Sequence, residues 1–233
     1  MKELEAKIKE IIPMTHNVTS FRVEAEGEIE FKAGQFLQVV LKTMPELKRY
    51  LSISNSPTEK GYLEFTKKIT ESDFCRTLKN LKPGDYLKIR YPFGKFTLDE
   101  SFYKIAFLSG GIGITPIRSI AKYIVDKNLG TDIVLLYANR TVEDIAFKYD
   151  FDQMRKQCPR LKVIHVLSES REAVEYKSGR INAQIIKDSI SDYSERKFYL
   201  CGPPAMVEAM KNILVTELAV AETSIITENF QGY

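Results

Sequence analysis

Gly110-Gly111-Ile112-Gly113-Ile114-Thr115-Pro116 follows the apolar run Ile105-Ala106-Phe107-Leu108 and opens a helix-like segment at 117–125. Strand, glycine turn and helix in that order make a phosphate site. The glycines let the backbone approach a pyrophosphate, and the free N–H groups and positive dipole end of the helix stabilise its charge. Pro116 suits the first helical position, where its missing N–H would have had no partner. The dinucleotide fingerprint Gly-x-Gly-x-x-Gly is not met, because Pro116 stands where the third glycine would follow Gly111 and Gly113. By itself the motif also fits a tight strand-to-helix turn in any α/β protein.

Outward from this turn the texture of the chain changes once. From Lys104 onward, apolar strands at 105–108, 133–137, 162–167, 197–200 and 224–227 alternate with helical segments at 117–126, 143–157, 182–189 and 203–213. That alternation implies a parallel sheet with helices on both faces. Before it, short β-rich runs at 18–23, 36–41, 62–69 and 86–91 are separated by turn signals such as Lys82-Pro83-Gly84-Asp85, the pattern of a small antiparallel barrel. The boundary falls within 98–103, giving domains 1–99 and 100–233.

A net charge of +3 with no basic run longer than two residues leaves no nucleic-acid footprint. The first ten residues alternate charged with apolar side chains, unlike a signal peptide, and no apolar stretch is long enough for a membrane span, so a cytoplasmic protein is expected. Cys75, Cys158 and Cys201 lie too far apart in sequence for a Cys-x-x-Cys pair and are too few for a four-thiolate cluster; with only His16 and His165 beside them, no metal site is expected. Redox chemistry would have to come from an organic cofactor.

Arg49-Tyr50-Leu51-Ser52 resembles the flavin-binding Arg-x-Tyr-Ser signature of the ferredoxin–NADP reductase family. Four further stretches match in the family's order: Ser72-Asp73-Phe74-Cys75-Arg76-Thr77-Leu78 its pyrophosphate segment, Tyr91-Pro92-Phe93-Gly94-Lys95-Phe96 its barrel-closing turn, Cys201-Gly202-Pro203-Pro204-Ala205-Met206 its nicotinamide segment, and Glu228-Asn229-Phe230-Gln231-Gly232-Tyr233 its acid-and-aromatic ending. The resemblance implies an N-terminal antiparallel Greek-key β-barrel that binds FAD, followed by a Rossmann-like parallel sheet that binds NADPH or NADH. It implies hydride transfer between nicotinamide and flavin N5, with electrons passed to a separate acceptor such as a ferredoxin or flavodoxin. Two other readings stay open: an electron-transfer subunit of a larger oxidoreductase, and a flavin-binding sensor without turnover.

The resemblance also assigns residues. Arg49 offers a fork of donors to the FAD pyrophosphate, with backbone N–H groups of Phe74 and Cys75 beside it; Ser52 lies near flavin N5, and Leu51, Thr66 and Lys67 line the flavin side. Gly111, Gly113, Thr115, Pro116, Gly202, Pro203 and Met206 fall around the nicotinamide nucleotide. Ser52, Cys201 and Glu228 surround the hydride-transfer centre, and Phe230 or Tyr233 covers the flavin face. Asn139 and Arg140, with Arg171 and Arg180, lie toward the adenosine 2′ position and tilt the choice to NADPH, while Glu169 argues for NADH. Leu51 replaces the family's stacking tyrosine, and Tyr50, one residue along the strand, points to the opposite face. Cys75 replaces a hydroxyl with a weaker donor. Lys48, Arg49, Lys67 and Lys68 lie near the presumed flavin edge; the lysines read first as a solvated strand face, and the alternative is a basic cluster that steers an acidic carrier.

Overall fold

A computed structural model describes residues 2–24, 29–169 and 176–229. Six strands build the first half: β1 (Lys2–Pro13), β2 (Val18–Glu24), β3 (Phe36–Leu41), β4 (Leu47–Ser52), β5 (Leu63–Lys68) and β6 (Tyr86–Phe93). Their order is β4-β3-β6-β1-β2-β5, with antiparallel neighbours throughout. The two outer strands meet where Ile53 bridges Phe65 and the Ser54 N–H donates to the Glu64 carbonyl at 2.7 Å, so the sheet is a nearly closed barrel. Alternate residues point inward, which places Leu37, Val39, Phe65, Leu87 and Ile89 in one core. A short helix, α1 (Asp73–Lys79), adds Phe74, Cys75 and Leu78 to it.

The longest strand, β1, is absent from the sequence reading, which took its charges only as evidence against a leader. Ala6 and Ile8 are buried at period two, and charged residues that alternate with the apolar ones ahead of them pair across the barrel wall, Glu3 with Arg90 and Glu5 with Lys42. Neutralised pairs on the outer face let a highly charged segment occupy the middle of a barrel wall.

The second half is a parallel sheet: β7 (Lys104–Gly110), β8 (Asp132–Asn139), β9 (Leu161–Leu167), β10 (Lys177–Ser178), β11 (Lys197–Gly202) and β12 (Ile225–Asn229), in the order β10-β9-β8-β7-β11-β12. Helices α2 (Ile114–Asp126) and α3 (Lys148–Gln157) cover one face, while α4 (Ala183–Ser189) and α5 (Pro204–Asn212) cover the other. Strand β7 shows why: Ile105 and Phe107 join the first layer, Ala106 and Leu108 the second. The order reverses between β7 and β11, and a crevice forms at the carboxyl ends of strands at such a point.

Two helix boundaries differ from expectation. Helix α2 begins at Ile114, so Pro116 is its third residue, still within the first turn whose N–H groups lack intrahelical partners. The expected helix over 143–157 is a short turn at Val142–Asp144, then Phe147 at φ 59°, then α3; a left-handed residue cannot continue a helix. Barrel and sheet meet where Phe96 packs edge-on against Tyr199 at 5.3 Å and the Tyr199 hydroxyl donates to the Thr97 carbonyl at 3.2 Å. No described helix is long and apolar enough to cross a membrane.

Candidate active site

The turn after β7 and the turn after β11 face each other across the reversal point. Gly111 has φ +53° and no atom within 4 Å of where a Cβ would sit, so its backbone opens onto free space. Gly113 differs: a Cβ there would lie 2.3 Å from the Cys201 carbonyl oxygen and 2.6 Å from Gly202 Cα. The room at Gly113 is filled by β11, so this glycine serves close packing of helix on strand and Gly111 leaves room for a ligand.

A cleft of about 630 Å³ runs from this turn along the carboxyl edge, lined by Gly111, Asn139, Arg140, Arg180, Pro203 and Met206 and reaching Lys68 of the barrel. Asn139 Nδ2 is buried with no hydrogen-bond partner among the described residues, a donor suited to a polar ligand. Arg140 faces Glu169 at 3.8 Å, both exposed. The residues present fit a dinucleotide.

Cys201, Ser109 and Tyr137 occupy one register row of β11, β7 and β8, continued by Glu228 on β12 and His165 on β9. In-register residues of a parallel sheet share a face, here the α2 side. Burial pushes the Cys201 thiol well above its ordinary pKa, helped by Glu228, and burial also raises the Glu228 carboxyl. Both groups are thereby held toward their neutral forms. The Tyr137 hydroxyl donates to the Gly111 carbonyl at 3.0 Å, bracing the turn from beneath, while Ser109 Oγ is buried with no partner among the described residues. The sequence reading missed Ser109 and Tyr137. Their signal was position: each lies near the carboxyl end of an apolar strand.

On the barrel side, Arg49 is exposed, its guanidinium carbon 5.6 Å from the centre of the Phe74 ring at the start of α1. It donates to the Lys48 carbonyl at 2.8 Å, leaving other N–H groups for an anion. The Cys75 N–H is capped by Ser72 Oγ at 3.4 Å, and the buried thiol turns toward Thr70 and the Lys68 carbonyl. A pyrophosphate here would therefore rely on Arg49 and the backbone of α1's first turn rather than on the thiol.

Ser52 is buried at the end of β4, in register with Phe36. Leu51 points into the barrel core, and Tyr50 stands 57 % exposed on the opposite face against Phe36 and Phe93, as strand alternation requires. The Thr66 hydroxyl is engaged by Ser20 at 2.6 Å and Ser54 at 2.9 Å, so its side chain secures the barrel seam. Lys67 is only 7 % exposed and does not contribute to a surface cluster with Lys48 and Lys68. The Thr115 hydroxyl is buried and donates to the Ile112 carbonyl at 3.0 Å. Phe230, Tyr233 and Arg171 lie outside the described residues.

Residues 5–98 match the family described as oxidoreductase FAD-binding domain, and residues 107–212 match the oxidoreductase NAD-binding domain. NADH-cytochrome b5 reductase 1 of Dictyostelium discoideum is 31 % identical over 230 residues, covering 95 % of this chain and 80 % of that protein. The chain belongs to the ferredoxin–NADP reductase-like family of flavoprotein oxidoreductases. Membership sets the cofactor classes as FAD and a nicotinamide dinucleotide.

Within the family, the glycine betaine monooxygenase reductase subunit of Pseudomonas aeruginosa is 30 % identical over 213 residues. Those residues span 88 % of this chain and 58 % of that protein's length. The fold recurs in the cytochrome b5 reductase domain of Ulva prolifera nitrate reductase, with TM-score 0.86, 23 % identity and 97 % of each chain covered. It recurs again in the Neisseria gonorrhoeae ferredoxin NADP+ reductase, with TM-score 0.85, 19 % identity and 98 % and 99 % covered.

Proposed function

We propose that this protein is an FAD-dependent NAD(P)H oxidoreductase that passes electrons to a separate acceptor. The observation that carries the reading is the junction at the reversal point of the sheet. There an open cleft runs along the carboxyl edge from Gly111 to the barrel's Lys68, and the buried Ser109 and Tyr137 immediately precede Gly110 and Ala138 of its lining, in register with Cys201. When bound, the two cofactors exchange a hydride between nicotinamide C4 and flavin N5.

The chain's own residues bind and orient. Arg49 and the first turn of α1 hold the flavin pyrophosphate, and Ser52 presents its hydroxyl toward the flavin ring. Gly111 admits the nucleotide, Asn139 anchors it, and Cys201 with Glu228 closes the nicotinamide pocket, burial shifting each toward its neutral form. The burial that raises both pKa values marks a junction sheltered from water, which favours close stacking of the rings. The domain division lies at 99/100, between the end of β6 and the start of β7.

Nucleotide choice rests on Arg140 and Arg180 against Glu169. Because Glu169 offsets the charge of Arg140, we infer use of both NADPH and NADH, with Arg180 giving NADPH a small advantage. The acceptor we propose is a ferredoxin or flavodoxin, in a cytoplasmic setting. Service as the reductase subunit of a larger oxidoreductase is the second reading, supported by relatives named as reductase subunits. Steady-state NADPH oxidation with each purified carrier tests the first reading, and co-purification with a second polypeptide tests the other. Oxidation with neither carrier and no bound partner contradicts both.

A further inference from the structure

Arg118 lies one helical turn beyond Thr115 on α2 and is 5 % exposed. Its guanidinium joins three parts of the molecule. Nε donates to Asp150 Oδ2 of α3 at 2.9 Å, Nη2 donates to Glu59 Oε1 at 3.0 Å, and Nη1 donates to Glu59 Oε2 and to the Ser54 carbonyl, the latter at 3.3 Å. The neighbouring Ser119 hydroxyl, fully buried, donates to the Asn55 carbonyl at 2.6 Å. Ser54, Asn55 and Glu59 belong to the loop between β4 and β5.

That loop behaves as one block, because its side chains brace its own backbone. Asn55 Nδ2 donates to the Tyr62 carbonyl at 3.1 Å, Asn55 Oδ1 accepts from the Glu64 N–H at 2.8 Å, and Glu59 Oε2 accepts from the Ser56 N–H at 2.7 Å. Any movement of the block carries Ser52, two residues upstream, and the Ser54–Thr66 hydroxyl pair at 2.9 Å. A buried ion network is a poor source of net stability, since desolvation offsets most of the attraction, and apolar packing of the same volume often holds as well. What a planar guanidinium adds is direction, because its donors accept partners only at fixed angles.

We propose that Arg118 is a positioning residue that sets the spacing between the flavin side and the nicotinamide side of the site, acting through the 53–62 loop. This rests on the hydride-transfer reading above. A displacement near 1 Å costs about a hundredfold in rate, so Arg118→Lys, which keeps the charge and loses the fork, is expected to slow flavin bleaching at saturating nucleotide by about 10–100-fold while the nucleotide Kd changes by less than about threefold.

The second readout needs no turnover. Amide hydrogen exchange of residues 53–62 in the cofactor-free protein is expected to accelerate in Arg118→Lys. Should that variant fail to fold, Glu59→Gln, which keeps the volume, reads the same two quantities. Wild-type bleaching rate or unchanged exchange in a folded variant overturns the proposal. A wild-type protein that neither nucleotide bleaches overturns the hydride-transfer reading and the spacing role with it, whereas the exchange result then still tells whether Arg118 holds the loop.

Discussion

Cys201 and Glu228 stand opposite each other in register on adjacent parallel strands, a buried thiol beside a half-buried carboxyl. Burial raises the cost of charge on both, and Glu228 adds to it for Cys201. A carboxyl whose folded pKa is raised binds its proton more tightly folded than unfolded, so stability falls as pH rises from the unfolded value of 4.5 through the folded one. Glu228→Gln removes that penalty: thermal denaturation should show a higher Tm than wild type at pH 7 to 8, and no difference at a pH well below 4.5. The same variant should lower the rate of flavin reduction. A fall in Tm at neutral pH would contradict the assignment.

Gly113→Ala and Gly111→Ala separate packing from access. The first puts a methyl 2.3 Å from the Cys201 carbonyl oxygen, in backbone that cannot step aside. Urea unfolding should show a loss of about 1–3 kcal/mol or more. The second meets open space and bears only the cost of a positive φ, roughly 1–2 kcal/mol, while crowding the nucleotide path. Gly113→Ala should therefore harm stability most, and Gly111→Ala should raise the nucleotide Kd.

His165 packs between Tyr137 and Tyr176, and burial, with Lys148 nearby, pushes its pKa down to about 4. For a base with a lowered folded pKa, the unfolded chain binds the proton first, so stability is lost as pH falls from 6.5 towards 4. An NMR titration should find this imidazole neutral throughout pH 5 to 8. Ionisation near 6.5 in the folded protein would show that the ring is not buried as described.

Glu169→Gln should leave Arg140 uncompensated and favour the phosphate of NADPH. Both side chains are exposed, so the gain is that of a surface pair, about 0.5–1 kcal/mol, or roughly a two- to fivefold rise in the NADPH to NADH ratio of kcat/KM. A ratio unchanged or lowered would remove Glu169 from nucleotide selection.

The fold was largely legible because the apolar pattern changes period once, near residue 100, and Gly110 to Pro116 marks the first crossover. The glycine turn was legible from its place between an apolar strand and a helix, whereas Cys201 and Glu228 were marked only by the family resemblance, and it is the pairing of β11 with β12 that sets them side by side. Strand β1 was hidden by surface charges that only cross-strand partners neutralise, and the break at Phe147 by a tertiary preference for a left-handed residue. Arg118 and Tyr137 escaped for another reason. A buried arginine and a buried tyrosine look like any helix or strand residue until the loop or turn they bond is placed beside them.

We propose hydride transfer at the β7/β11 junction. Anaerobic rapid mixing of the FAD-loaded protein with NADPH, and with NADPH deuterated at the transferable C4 position, tests it most directly by following flavin absorbance. Rapid bleaching that slows with deuterium and slows further in Arg118→Lys is expected. Flavin that binds and stays oxidised with both NADPH and NADH would contradict it.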